Sequence, residues 1–302
     1  MTNRERRNLR NGLLFISPWL AGFAAFTAYP LGASLYYSLC DYSVLKPPVF
    51  VGGANYQELL LDPVFWKSLS NTLYFAVFFL PLATVLAIAL ALLLNTGVRG
   101  MTVYRTVFFL PSLTPLVALG ILWMWMLNGE YGVVNYVLNL VLNPLGFQAP
   151  IWLQSTAWSK PAIVLMSLWG VGYAVVIYLA GLQDIPRQLY EAAELDGARW
   201  FAKLRHITLP LLSPAIFFNV VMGLIGALQV FALPYVLTDG TGGPARSTLF
   251  YAMHLYNAAF RYLRMGYACA MAWLLFLIIL ALTLLVYRVS PFLPDGTGLL
   301  LE

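Results

Sequence analysis

The sequence predicts an all-α, polytopic membrane protein with six transmembrane helices, on the basis of its composition and its hydropathy pattern. Of its 302 residues, 61% are hydrophobic and 10% are charged, and the mean hydropathy is +0.78. A bilayer core needs roughly 20 apolar residues in a helix, because lipid offers the backbone no hydrogen-bond partners. We therefore expect one transmembrane domain over residues 1–302. Six windows lack Asp, Glu, Lys, Arg and His: 13–39, 73–94, 107–127, 162–182, 215–237 and 268–286.

The first window follows an arginine-rich start, but its apolar run is too long for a cleaved signal peptide. The distribution of Lys and Arg sets the orientation by the positive-inside rule, so the net charge of +5 does not point to nucleic acid. Both termini and the connection between spans four and five are expected in the cytoplasm. The predicted inner set is Arg4, Arg6, Arg7, Arg10, Arg99, Arg105, Arg187, Arg199, Lys203, Arg205 and Arg288. The opposite set is Lys46, Lys67, Lys160, Arg246, Arg261 and Arg264.

The connections on the outer side are expected to be ordered. Residues 40–70 are polar and broken by Pro47-Pro48 and Gly52-Gly53, which predicts a loop. After the third span, a short apolar helix begins at residues 132–135, stops at Pro144 and lies at the membrane interface. After the fifth span, residues 239–244 form a turn cluster, and residues 247–264 are expected to form a surface helix.

Prolines fall in or at the ends of several spans, where they predict kinks. Neighbouring helices can satisfy the carbonyls that a proline leaves free. Cys40 and Cys269 are too few for a disulfide framework or a metal cluster, and no role is assigned to them. The prolines concerned are Pro18, Pro30, Pro81, Pro111, Pro115, Pro214 and Pro234.

Residues 184–210, between spans four and five, form a polar insert whose pattern predicts a helix, a glycine break and a second helix. Asp184 is a candidate N-cap with Pro186 in the first turn, and Gly197 fits a left-handed helix end. The second helix is expected over residues 198–206, with the chain turning back to the membrane at Leu209-Pro210. Small alanines leave one face of the first helix open to close approach by another protein, and the preceding Glu191 offers a charge.

The spacing of this insert carries a resemblance. Glu191-Ala192-Ala193, then Gly197 after three residues and Ile207 and Leu209-Pro210 after nine more, resembles the cytoplasmic coupling signature of ABC importer permeases. The outer-loop pattern at 50–73, with residues 132–135 and 242–244, is similar to the carbohydrate-uptake branch, of the maltose and glycerol-3-phosphate type. The resemblance covers nearly the full length.

That resemblance implies a type I importer fold in a bacterial or archaeal cytoplasmic membrane. It also implies three kinds of partner: a second, homologous permease, a pair of ATPase subunits and an extracytoplasmic solute-binding protein. The ATPase subunits would bind ATP and Mg, and this chain would bind no cofactor. The residues implied to dock on the ATPase are Glu191, Ala192, Ala193, Gly197, Ile207, Leu209 and Pro210.

The sequence itself lacks a phosphate-binding loop, because none of its four lysines follows a glycine. Energy must then come from another polypeptide, and the chain is not expected to be an enzyme. The alternative is a secondary transporter driven by an ion gradient. Proton coupling normally needs ionisable residues inside the membrane, and the six windows have none. Sodium coupling stays open. A third class, an intramembrane enzyme, lacks a catalytic or metal-ligating group, and His206 and His254 are expected at the surface.

Candidate substrate contacts lie on spans four and five, because the resemblance places the substrate pocket there. Carbohydrates are held by aromatic faces and hydrogen bonds, which suits Tyr173, with Gly170 one turn earlier, and the polar Gln229 and Asn219. The asparagines of the maltose type on span five are not matched. An oligosaccharide, a disaccharide and a glycerol-phosphate compound all remain open, as does the share of contacts made by the partner permease.

Overall fold

The structure is a computed structural model that describes residues 2–289, grouped in two compact units. The first unit comprises residues 2–62 and 255–276, and the second comprises residues 63–254 and 277–289. Elements at the start of the chain are α1 (Asn3–Phe23), α2 (Tyr29–Ser38), β1 (Cys40–Ser43), β2 (Lys46–Phe50) and α3 (Ala54–Leu61).

The first span is one continuous helix with a widened turn. Thr2 caps α1, since its Oγ1 accepts a hydrogen bond from the Glu5 amide at 3.3 Å and the Glu5 carboxylate accepts one from the Thr2 amide at 2.7 Å. Residues 24–28 form a π-helical turn before α2, which has Pro30 in its first turn. A proline ring collides with the carbonyl four residues earlier, and the wider turn relieves that collision.

Residues 40–50, expected as a loop, form an antiparallel two-stranded hairpin, which is the exception to the all-α prediction. Its base is held by Asn55, whose Nδ2 donates to the carbonyls of Ser38 and Cys40, each at 2.9 Å. Gly266 lies so close to the Cys40 carbonyl that a Cβ there would collide with it. The hairpin was missed because these contacts join residues far apart in the sequence.

The second unit contains most of the remaining helices and spans two to five, and the unit boundary at residue 276 falls within the last helix. The helices up to span four are α4 (Pro63–Leu94), α5 (Met101–Phe109), α6 (Leu116–Met126), α7 (Val133–Leu142), α8 (Ser159–Leu168) and α9 (Gly172–Gln183). Those that follow in the chain are α10 (Arg187–Leu195), α11 (Trp200–Lys203), α12 (Leu209–Leu228), α13 (Ala232–Thr238), α14 (Tyr251–Tyr256) and α15 (Met265–Val289). The short apolar helix predicted after span three is confirmed as α7.

Among residues 2–289, four helices are long and apolar enough to cross a membrane, and two bent pairs bring the number to six. The third span bends by 95° between Met101–Leu113 and Leu116–Met126, and the fourth by 46° between α8 and α9. Pro115 explains the sharper bend, because a proline disfavours helical geometry in the preceding residue and Thr114 has ψ 128°. The predicted six spans are thus confirmed, two of them as broken helices.

The two bends touch each other inside the second unit. Gly172, the first residue of α9, lies beside the 3₁₀ turn Leu110–Leu113 that ends the first half of the third span. A Cβ on Gly172 would stand 2.8 Å from the Ser112 hydroxyl and 3.3 Å from the Phe108 carbonyl. A Cβ at this position would force the Ser112 side chain to turn away or the two segments to shift slightly, so a glycine suits this close approach.

One hydrophobic cluster of the second unit joins α4, α9 and α12. Ala87, Ala91 and Leu94 form a stripe on α4, and Leu212 enters from α12. The stripe that α9 contributes has the spacing of a single helix face, so the three helices pack as one body. That stripe consists of Val175, Tyr178, Leu179 and Leu182.

Residues 247–254 are buried or partly buried, which corrects the first part of the surface helix predicted over 247–264 and the predicted surface position of His254. Phe250, Tyr251 and Met253 are fully buried, and His254 is 7% exposed. Burial also raises the pKa of Tyr251. This semi-polar stretch can be buried because side chains that lie far away in the chain satisfy its polar groups.

Those distant side chains are on α4 and α8. Asn71 Nδ2 donates to the carbonyls of Arg246 at 2.9 Å and Leu249 at 3.0 Å. Thr72 Oγ1 accepts the Tyr251 amide at 2.8 Å, and the hydroxyls of Ser159 and Ser247 are 2.7 Å apart. These buried bonds satisfy an irregular segment that would otherwise be costly to bury.

Candidate functional site

The insert between spans four and five begins with α10, whose N-cap lies two residues later than the sequence suggested. Pro186 is its N-cap, and no side chain caps the helix. Asp184 is instead the C-cap of α9. The predicted cap at Asp184 and the predicted first-turn position of Pro186 were therefore wrong. Ile185 explains the shift, because it is buried in the cluster of α4, α9 and α12 and fixes where α9 ends.

The predicted left-handed end at Gly197 is confirmed. Gly197 has φ +76°, its amide donates to the Glu194 carbonyl at 3.0 Å, and the Ala198 amide donates to the Ala193 carbonyl at 2.8 Å. This pair of bonds is the Schellman motif, which satisfies carbonyls that a helix end leaves free. Gly197 thus lets the chain reverse with little backbone strain.

Beyond the glycine, the expected second helix and the turn at Leu209-Pro210 are replaced by one unbroken helix. It starts as α11, widens into a π-helical turn over Leu204–Thr208 and continues as α12. Pro210 lies in the first turn of α12, so the wider turn has the same physical cause as the one before Pro30. The Ile207 and Leu209-Pro210 part of the signature is therefore the root of span five.

Two side-chain links connect α10 to this root. Lys203 Nζ lies 2.7 Å from Glu194 Oε1. The Tyr190 hydroxyl lies 3.0 Å from Thr208 Oγ1, and Thr208 Oγ1 itself donates to the Lys203 carbonyl at 3.3 Å. Because the Thr208 proton is used in that bond, Tyr190 is the donor to Thr208. Tyr190 and Ile207 also pack against the hydrophobic cluster, so α10 and the start of α12 are held together.

Several apolar side chains of the insert are exposed. Leu195 is 90% exposed, Trp200 66% and Phe201 64%. Glu191 and Ala192, on the same short helix as Leu195, are also exposed. Large apolar side chains exposed on a polar segment are typical of a surface that another molecule can cover.

Three of the four candidate substrate residues line one cavity of about 200 Å³ in the second unit. Gly170 and Tyr173 border it from the break between α8 and α9, and Asn219 borders it from α12. Gln229 lies outside this cavity, at the C-cap of α12 and exposed, and its role as a contact stays a prediction. We call this space the Tyr173 cavity.

The same cavity contains two polar residues that were not among the four candidate contacts, Thr84 of α4 and Tyr178 of α9. Tyr178 is fully buried, and its hydroxyl lies near that of Thr84 without forming a hydrogen bond. Asn219 Nδ2 donates to the Ala215 carbonyl of its own helix at 2.9 Å. A threonine inside an apolar run and a tyrosine five residues after Tyr173 were the only signals available.

Neither His206 nor any group of potential metal ligands forms a catalytic or metal-binding arrangement in the described part of the chain. His206 is exposed as predicted, with Nδ1 3.0 Å from the Ala202 carbonyl of its own helix. Within the described part of the chain, no three His, Cys, Asp or Glu residues lie close enough together to hold a metal ion.

Known proteins resemble this chain over nearly its full length. The family model for binding-protein-dependent transport system inner membrane components matches residues 58–293. The lactose transport system permease protein LacF of Rhizobium radiobacter is 38% identical over 91% of this chain and 92% of its own. The sulfoquinovosyl glycerol transport system permease protein SmoG of Agrobacterium fabrum is 35% identical over 92% of this chain and 89% of its own.

Among solved structures, a chain of a bacterial alginate ABC transporter, crystallised with an alginate pentasaccharide-bound periplasmic protein, superposes with a TM-score of 0.80. It is 23% identical, and the match covers 95% of each chain. Its identity is low, so the likeness concerns the fold.

Proposed function

Because the chain belongs to the family of binding-protein-dependent transport system inner membrane components, we propose that it carries a sugar in an importer driven by a separate ATPase. It is a multi-pass membrane permease with a type I ABC importer fold. The proposed assembly adds a second permease, two ATPase subunits and an extracytoplasmic binding protein. The proposed substrate class is a carbohydrate, as the names of LacF and SmoG suggest for those relatives.

The observation that carries the proposal is the linked insert. A partner that covers Ala192, Leu195 and Trp200 would press on α10, and α10 is joined to α12 through Glu194–Lys203 and Tyr190–Thr208. Movement of the partner would then reach span five directly. The seven residues of the coupling signature therefore form two groups. The first group lies on α10 and at Gly197, and the second, Ile207 with Leu209-Pro210, lies at the start of span five.

The ion pair by itself contributes little to this rigidity. Glu194 is largely exposed, and exposed ion pairs contribute about 0–1 kcal/mol because water screens the charges. The Tyr190–Thr208 bond is better protected, since Thr208 is 4% exposed. We therefore assign most of the mechanical connection to Tyr190 and to its packing on the hydrophobic cluster.

The Tyr173 cavity is the proposed substrate contact of this chain. It combines an aromatic ring with a buried Tyr178 hydroxyl that lacks a hydrogen bond, which is the arrangement a sugar hydroxyl could complete. Its volume of about 200 Å³ is below the roughly 300–1,000 Å³ of ordinary ligand pockets. The rest of the binding space would come from the second permease.

The proposed orientation places the insert in the cytoplasm. The positive-inside distribution supports it, and so do the contacts of the opposite side. Asn71 accepts a bond from Lys160 Nζ at 3.4 Å and donates to the Arg246 carbonyl, which brings two of the predicted outer cations to one place.

The test is ATP-driven uptake by the complete importer in vesicles without ion gradients. Labelled sugar should accumulate only when ATP, the ATPase subunits and the binding protein are all present. Glu191→Gln should reduce uptake and ATPase association, because Glu191 is exposed and free to meet a partner. Uptake that follows a sodium or proton gradient and ignores ATP would make the chain a secondary transporter instead.

A further inference from the structure

A second cavity, of about 520 Å³, lies at the root of the insert. It is bordered by the chain after α4 (Asn95, Gly97), by Arg105 of α5, by Gln183 at the end of α9, and by Arg187 of α10. None of the described residues that line it is acidic. We call it the arginine cavity.

The charges in this cavity are only partly used by the protein. Arg105 Nε and Nη2 donate to the Leu94 carbonyl at 3.3 and 3.0 Å, which satisfies the end of α4 and leaves the other guanidinium donors available. The side chains of Asn95, Gln183 and Arg187 have no hydrogen-bond partner among residues 2–289. Arg105 and Arg187 therefore offer N–H donors to one space whose described lining contains no carboxylate.

Arg187 occupies an unusual position for a cation. It is the first residue of α10, and no side chain caps this helix end. The N-terminus of a helix carries partial positive charge and exposed amides, so a cation there is unfavourable unless an anion binds both. The charge of Arg187 therefore lowers the stability of α10, and a bound anion would offset this effect.

The position of the cavity at the ends of two spans indicates which kind of anion it binds. It lies where α4 and α9 end, and apolar Leu182 and Ile185 share its lining with polar groups. Val98 and Tyr104, near the rim in sequence, are exposed apolar side chains. This is the level at which a bilayer places phosphate groups above its acyl chains.

We propose that the arginine cavity binds the phosphate group of an anionic phospholipid, held by Arg105 and Arg187. The proposal rests on the proposed function only in placing the insert at the inner membrane surface. A bound phosphate would lie between the connection after span two and the first turn of α10. Lipid would then be a structural part of the segment that receives force from the ATPase.

The experiment titrates the purified full-length chain with phosphatidylglycerol or phosphatidylcholine in detergent and counts bound lipids by native mass spectrometry. We expect retention of phosphatidylglycerol above phosphatidylcholine, and an affinity about fivefold lower in Arg187→Gln. Arg99→Gln is the matched control, because Arg99 is exposed in the same connection but does not line the cavity. Its affinity should equal that of the unmodified chain.

Arg105→Gln should weaken binding as well, but it also removes the cap of α4, so its melting temperature is measured beside it. Inorganic phosphate is added as a competitor. Displacement of lipid by millimolar phosphate would support the phosphate site and identify free phosphate as a second source of the ligand; no displacement would identify the lipid alone.

Equal lipid affinity in Arg187→Gln and the unmodified chain would overturn the proposal. So would an equal loss in Arg99→Gln, which would indicate general surface charge. The titration involves no transport, so failure of the proposed importer function would be seen separately, in the uptake measurement.

Discussion

Tyr190 donates a hydrogen bond to Thr208 across 3.0 Å, and this bond joins the exposed helix of the insert to the root of span five. Thr208 passes the connection on to the Lys203 carbonyl inside a π-helical turn. π-helical turns occur often at functional sites, and here the wider turn lies beside the first proline of α12. The bond therefore links α10 directly to the start of span five.

Tyr190→Phe tests that route. The ring still packs on the hydrophobic cluster, so the fold should persist, with a loss of about 1 kcal/mol from one hydrogen bond. We expect fewer sugar molecules imported per ATP hydrolysed, measured in vesicles with the complete importer. Tyr104→Phe, at an exposed tyrosine outside the insert, should leave that ratio unchanged. A normal ratio in Tyr190→Phe would exclude the hydroxyl from coupling.

Gly197→Ala tests the reversal of the chain after α10. With φ at +76°, an alanine costs about 1–2 kcal/mol of strain, although nothing lies within 4 Å of its Cβ. The strain should loosen the Schellman motif and reduce coupling, measured as uptake per ATP, while the membrane helices stay intact. Gly22→Ala has equal space and an ordinary φ, and should transport normally. Full coupling in Gly197→Ala would refute the need for the left-handed end.

Asn71→Ala tests the anchor of the segment 239–256. The substitution removes the hydrogen bonds that Asn71 donates to the carbonyls of Arg246 and Leu249, at a cost of about 2 kcal/mol or more. We expect a lower melting temperature and faster proteolysis within residues 239–256. Asn11→Ala, at an exposed position of α1, should change neither. Unchanged proteolysis would mean that other contacts hold this segment.

Tyr178→Phe separates a structural role from a binding role in the Tyr173 cavity. The lost hydroxyl has no hydrogen bond in the structure, so the melting temperature should stay the same or rise. Half-saturation of transport should need about fivefold more sugar, the equivalent of one neutral hydrogen bond. A lower melting temperature with unchanged half-saturation would show that the hydroxyl serves the fold alone.

The features that sequence alone predicted well depend on local chemistry. The apolar windows, the short helix α7 and the left-handed Gly197 are each determined by a few neighbouring residues. The start of α10 was predicted wrongly because Ile185 is held by residues of other helices. The hairpin at 40–50 and the burial of 247–256 were missed for the same reason, since Asn55, Asn71 and Thr72 act from far away in the chain.

The substrate candidates show the same limit. Tyr173 and Gly170 share a local break between α8 and α9, and the resemblance to known permeases pointed to them. Thr84 comes from another span and joins the cavity only through packing of α4 on α9. No pattern within α4 distinguishes it from an ordinary threonine in an apolar helix.

The contact of Gly172 with the turn at Ser112 has a mechanical consequence for spans three and four. Because the start of α9 packs directly on this turn, a movement of one bend is transmitted to the other. We therefore expect a rearrangement that opens the permease to change both bends together.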